Sequence, residues 1–170
     1  PARFDSDKLR DVNAYFIKTM DDDALYDLIA GALAQSGNTP TSSAAKSRII
    51  TLLPLLKERS KTHLDIAGTI GYLLGDGAVD IDDDAAVLLT DDAKAVLRDL
   101  DTALASATWD LDGLKVAINA YLSEKEMKMR DIGLPLRTAV TGMKQTPSIV
   151  DIMVALGQSE TSVRLQIACK

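Results

Sequence analysis

Apolar residues return along this chain at intervals of three and four, and Ser, Thr, Asp, Gly and Pro punctuate the runs. That is the period of helices that bury one face. Ser6 is placed to cap a helix carrying Leu9, Val12 and Phe16. Asp21 is placed to cap a second, with Leu25, Leu28, Ile29, Ala32 and Leu33 on one face. Asp22 and Asp23 suit its positive N-terminal end, and Gly37, Asn38 and Pro40 stop it. Ser42 or Ser43 opens a third helix through Ile49, Ile50, Leu52 and Leu53, which Pro54 should end or kink. Thr62 caps a fourth, with Leu64, Ala67, Ile70, Gly71 and Leu74 turned inward.

The pattern breaks at residues 76–84, where glycine and like charge make an acidic linker the natural reading. Helical spacing resumes at Ala85–Leu89 and across Asp91–Leu104, and Thr108 is expected to cap a helix through Leu111, Leu114, Ile118 and Leu122. The charged stretch Lys125–Arg130 reads as loop or frayed helix. Three short helices follow: Leu134–Val140 ending at Gly142, one with Thr146 as cap and Pro147 in its first turn running to Leu156, and one capped by Ser159. No strand and no repeat stands out. The expected fold is all-α, an irregular helical bundle made of two consecutive small helical subdomains: residues 1–75 first, 76–84 as the linker, and 85–170 second.

Composition narrows the chemistry. Aromatics make up 4% of the chain, which favours helix over strand. With one cysteine, Cys169, and one histidine, His63, the chain has no internal disulfide and no Cys/His zinc set. No apolar run is long enough to cross a membrane and no signal-peptide pattern opens the chain, so a cytoplasmic setting is expected. The net charge of −6 argues against nucleic acid only on average. Residues 1–114 carry 11 basic and 20 acidic residues, whereas 115–170 carry 8 and 5. A second basic cluster gathers Lys46, Arg48, Lys57, Arg59 and Lys61. A basic face matters more to an RNA than a basic total.

Several motifs fall away on inspection. Asp80, Asp82, Asp84 and Asp91 take calcium-loop spacing, but Ala85 stands where that loop needs glycine, and a solvated acidic stretch is favoured. His63 follows a cap and suits a surface role, and Trp109 suits a staple or core role. Tyr15, Phe16 and Tyr121 fall at core-like helical spacing. No phosphate-binding glycine loop is present. One place is harder to dismiss: Arg137 on a short helix stands near a helix start at Thr146 and Pro147, where free N–H groups meet a directed guanidinium.

Those same residues carry a resemblance. Pro135-Leu136-Arg137-Thr138-Ala139-Val140-Thr141-Gly142, then Thr146-Pro147 and Ala155-Leu156-Gly157, resemble the C-terminal signature of bacterial glutamyl-tRNA synthetases. Lys8-Leu9 with Asn13, Tyr15 and Ile17, the stretch Leu56-Lys57-Glu58-Arg59-Ser60-Lys61-Thr62, and Trp109-Asp110 with Leu114 are similar to further family segments in the same order. The resemblance spans the whole chain. It implies the helical anticodon-binding region, without the family's catalytic signatures, of an enzyme that joins glutamate to tRNA(Glu). No cofactor is then expected in this chain, ATP and Mg belonging to the family's catalytic domain, and catalysis by the chain alone is not expected. A monomer with no membrane partner is implied.

Family roles are implied at matching positions. Arg59 corresponds to a reader of the third anticodon base. Arg137, Thr146 and Pro147 correspond to stretches on the first and middle bases, and Ile149 to an apolar residue packed on the first base. Lys57, Lys61, Lys144 and Arg164 would meet the RNA backbone, positioning without specifying. Asp11, Leu134, Ser148 and Lys125–Arg130 depart from the family pattern. Two alternatives stay open: an acidic helical protein-interaction module, and a free-standing tRNA-binding paralogue.

Overall fold

The computed structural model describes the backbone of residues 6–170 and side chains from Asp11 onward, so the expectations at Ser6, Lys8 and Leu9 fall outside the described side chains. Among the described residues there are ten α-helices and no strand. The chain divides into two compact units, Pro1–Gly75 and Asp76–Lys170.

The first unit holds α1 (Ser6–Thr19), α2 (Asp22–Gln35), α3 (Ala45–Arg59), α4 (His63–Ala67) and a 3-10 turn, Gly71–Leu73. Asp21 caps α2 by accepting from the amides of Asp23 and Ala24. Leu25, Ile29 and Leu33 of α2 and Ile49, Leu52, Leu53 and Leu56 of α3 form its core. Each such side chain removed from water contributes about 1.5–3 kcal/mol. Pro54 does not end α3, as the spacing suggested; it sits on the exposed side and costs the helix one N–H donor. Neither Ser42 nor Ser43 caps α3, whose cap is Ala44, although the Ser42 hydroxyl accepts from the Ala44 amide at 3.1 Å. The amides of Thr41 and Ser42 both donate to the Leu74 carbonyl, at 2.8 and 2.9 Å, and so close the unit.

Helix α1 packs on α3 and buries Ile17, but Val12, Tyr15 and Phe16 are 50%, 67% and 57% exposed. Core-like spacing misleads here because α1 meets a neighbour along one narrow line. Tyr121, read the same way, is buried, and its hydroxyl donates to the Val96 carbonyl at 3.1 Å.

The second unit holds α5 (Asp83–Ala86), α6 (Asp91–Leu104), α7 (Leu111–Glu124), α8 (Met129–Thr141), α9 (Ile149–Leu156) and α10 (Gln158–Ala168). Helix α6 packs on α7, α8 and α10, and α9 fills the space beside α7, α8 and α10. Leu97, Leu100, Leu114, Leu136, Val140, Ile152, Met153 and Leu165 make the core. The α7 cap is Asp110, not Thr108: its carboxylate accepts from the Gly113 amide at 2.7 Å. Trp109 serves as a staple, its indole N–H donating to the Met153 carbonyl at 3.1 Å. Helix α8 starts earlier than expected, at Met129, with the Lys128 amide donating to Asp131 at 2.8 Å. Helix α10 opens from Gly157 rather than from a Ser159 cap.

Residues 76–84 are built into the second unit. The Gly77 amide donates to Glu160 at 2.8 Å, and the Asp82 amide donates to the Gly142 carbonyl at 2.9 Å. Gly142 ends α8 in the left-handed region at φ 76°, and a Cβ there would lie 1.9 Å from the Asp80 carbonyl oxygen. Two constraints thus demand glycine, one conformational and one steric. Gly142→Ala should lower stability by at least about 1–3 kcal/mol. Gly31→Ala, on an exposed face of α2 with nothing near the added carbon, should raise it by about 0.5–1 kcal/mol. Denaturant unfolding of the two variants checks both signs, and a Gly142→Ala chain as stable as wild type would contradict the close crossing at Asp80.

Candidate nucleic-acid interface

In the second unit the candidate residues converge on one turn. Helix α8 delivers Arg137, half-buried, toward the loop that links α8 to α9. Its Nη1 donates to the Thr146 carbonyl at 3.1 Å and also to the Thr146 hydroxyl and the Pro147 carbonyl. Thr141, one turn on, accepts from the Met143 amide at 3.2 Å and donates to the Arg137 carbonyl at 2.7 Å. The loop is therefore fixed at both ends before any ligand arrives. The α9 cap is Ser148, which accepts from the Asp151 amide, rather than Thr146; Arg137 draws the Thr146 side chain away from that duty. Thr146 and Pro147 are buried, and Ile149 is 3% exposed, part of the core rather than a surface on which a base can stack.

Two of the expected backbone contacts, Arg164 and Lys57, are interior side chains. Arg164 is 1% exposed and ion-paired with Glu160 at 2.6 Å, so it cannot reach a phosphate. Lys144 is paired with Asp84.

In the first unit α3 ends at Arg59, and Ser60 leaves in extended backbone. Asp65 then holds the next turn, accepting from the amides of Lys61 at 3.1 Å and Thr62 at 2.9 Å, while Thr62 accepts in return from the Asp65 amide. Lys57 has a side chain 12% exposed and donates to the Met20 carbonyl at 2.7 Å and Asp22 at 2.6 Å, so it braces α2 against α3 and is not a surface cation. Lys61 pairs with Asp11 at 2.9 Å, where both groups remain accessible. Of the wider cluster, Arg48 is buried and donates to the Gly75 carbonyl. The Lys46 ammonium donates to the Asp23 carboxylate, which raises its pKa, and it stays charged at neutral pH. Arg59 differs from all of these: it is exposed, and among the described residues its guanidinium has no hydrogen bond or ion pair.

The first unit, by itself, offers at the end of α3 a guanidinium with no partner among the described residues; the second, by itself, offers a rigid turn of carbonyls, amides and a half-buried guanidinium between α8 and α9. Directed donors on fixed turns suit base edges of an unpaired loop better than they suit a uniform phosphate lattice. Residues 13–169 match the family model described as the anticodon binding domain. The chain belongs to that family.

As an anticodon-binding domain it has relatives along nearly its whole length. Glutamate–tRNA ligase 2 of Parvibaculum lavamentivorans is 34% identical over 98% of this chain, and glutamate–tRNA ligase 1 of Brucella melitensis is 32% identical over 96%. The domain spans about a third of each of those proteins, 34% and 36%. Among solved structures, a glutamate–tRNA ligase from Elizabethkingia meningosepticum, in complex with its amino acid, shares the fold at a TM-score of 0.81 with 22% identity. One from Elizabethkingia anophelis gives 0.77 with 23%. Each covers 99% of this domain, which covers 33% and 32% of those chains.

Glu160 is absent from the sequence reading, and Thr141 and Asp84 stand there only in a signature stretch and a discarded calcium spacing. Each acts through a partner that local sequence does not reveal, and only Thr141, next to the Gly142 stop, carries a local hint. The two arginines should separate in stability. Arg137→Ala leaves the Thr146 carbonyl without its donor and the Pro147 carbonyl with the Thr146 hydroxyl alone, and should cost about 1–3 kcal/mol. Arg59→Ala should change stability by less than about 0.5 kcal/mol. Thermal unfolding of both variants measures the contrast, and equal losses would refute the assignment of Arg137 as a loop clamp.

Proposed function

We propose that this chain reads the anticodon loop of tRNA(Glu) for a glutamate–tRNA ligase in bacterial-type cytoplasm, binding one tRNA as a monomer. ATP and magnesium chemistry belongs in this reading to a catalytic domain of the kind its relatives' greater length accommodates. No residue here is assigned to that chemistry. The reading rests on a family match that covers nearly the whole chain, and its carrying observation is the turn at Thr146–Pro147, held ready by Arg137. Arg59 supplies the second directed donor. The Arg59 fork suits the edge of a splayed-out base, while Arg137, committed to Thr146 and Pro147, acts by shaping the turn.

The electrostatics sharpen the proposal. Lys57, Lys61, Lys144 and Arg164 each hold a carboxylate of the same chain, so these four would have to give up a partner before displacing counterions from a phosphate backbone. Base contacts then supply the greater share of specificity and phosphate contacts a minor share of affinity.

The test is equilibrium binding of the chain to tRNA(Glu) and to an unrelated tRNA across salt concentrations. Arg59→Ala and Arg137→Ala should each weaken tRNA(Glu) binding by about 1–3 kcal/mol and relax discrimination. The log–log salt slope should be shallow, of magnitude about 1–2, as for one or two phosphate contacts. A steep slope with no discrimination would replace anticodon reading with general RNA binding. A folded chain that binds no tRNA at low salt would favour the alternative of an acidic protein-docking module.

A further inference from the structure

Arg164 sits in α10 with 1% of its side chain exposed, one helical turn from Glu160, whose side chain is 11% exposed. Its Nε donates to Glu160 Oε1 at 2.6 Å and its Nη1 to the Val140 carbonyl at 2.9 Å, in the last turn of α8. The same Glu160 oxygen accepts from the Gly77 amide at 2.8 Å. One buried ion pair therefore ties together three segments distant in sequence.

Those segments converge on the reading turn. The strap that begins at Gly77 is fixed again at its far end, where the Asp82 amide meets the Gly142 carbonyl and Asp80 lies against the Gly142 α-carbon. Gly142 starts the loop that Arg137 clamps at Thr146 and Pro147. Val140 and Arg137 share the final turns of α8, so the Arg164 tether and the Arg137 clamp act on one short piece of helix.

A buried ion pair is a poor source of net stability, because desolvation offsets most of the attraction and apolar side chains of similar volume pack as well. What apolar side chains cannot supply is directed hydrogen bonds to the Val140 carbonyl and the Gly77 amide. We infer that Arg164 and Glu160 are positioning residues for RNA reading: they fix where α8 ends, and through it the placement of the Arg137 guanidinium and the 142–148 loop. The inference rests on the anticodon reading proposed above. Arg164 is too deeply enclosed to touch RNA, so any effect it has on recognition is indirect.

The experiment compares binding of the full chain to two transcripts, tRNA(Glu) and the same tRNA with its middle anticodon base changed, well below the unfolding transition. Arg164→Lys keeps a cation beside Glu160 but loses the fork that reaches Val140. The double variant Arg164→Met/Glu160→Gln leaves no unpaired charge and keeps an acceptor for Gly77. Each should reduce the ratio of the two affinities by roughly 2- to 30-fold, the range expected of residues that act through others. Affinity for the altered transcript should stay within about twofold, because non-specific contacts are untouched. A purely structural role would lower the unfolding temperature and leave the ratio alone, and that result overturns the inference. Arg137→Ala is run beside them. If it lowers the ratio and neither Arg164 variant does, the positioning role fails alone; if Arg137→Ala also leaves the ratio unchanged, the anticodon reading and the positioning role fail together. Should the double variant not fold, Arg164→Lys decides.

Discussion

The second unit is organised around a single crossing, where residues 80–82 run so close to Gly142 that no side chain fits between them. A helix must stop there, because the only residue that clears the Asp80 carbonyl also takes a left-handed backbone. Once α8 ends at that point, the loop to α9 departs in a fixed direction and Arg137 comes within reach of Thr146 and Pro147. The acidic strap is thus part of the scaffold. Its charges face outward or pair, as Asp84 does with Lys144, while its backbone does the structural work.

Much of this was legible along the chain. Asp21 capping α2, helix α6 over Asp91–Leu104 and the stop at Gly142 follow from the spacing of apolar residues and the chemistry of helix ends. Boundaries slipped where two cap-competent residues stand close together. Asp110 rather than Thr108 starts α7, and Ser148 rather than Thr146 starts α9, since tertiary partners decide which hydroxyl or carboxylate is free to cap. Tyr15 and Phe16 share the spacing of a core stripe, yet they stay exposed because periodicity reports a face without reporting whether a neighbour covers it.

The candidate site divided in a similar way. Arg137 with Thr146 and Pro147 was identifiable as a unit, although the direction of the interaction, arginine shaping the turn, appears only in three dimensions. Two of the cations expected at the RNA backbone, Lys57 and Arg164, lie inside the protein for one reason. Lys and Arg read as surface groups in sequence, but Lys57 and Arg164 spend their charge inside the protein, and the carboxylates that hold them belong to other turns or other helices. Ile149, expected on the RNA-facing side, lies in the core, because Ser148 rather than Thr146 caps α9 and Ile149 opens the helix as a buried residue.

Self-neutralised cations also bear on time. A protein that leaves most of its lysines unpaired draws a polyanion in from a distance and associates faster than undirected collision allows; here Lys61 and Lys144 are each matched by a nearby aspartate, so that long-range pull is weak. Encounter then proceeds at the ordinary pace of two surfaces finding their orientation, about 10⁵–10⁶ M⁻¹s⁻¹. Wrong RNAs, held by little besides charge, leave quickly. On the proposed reading, the residence time of a bound RNA follows from how well its bases fit the turns that carry Arg59 and Arg137, which places selection in dissociation rather than in capture.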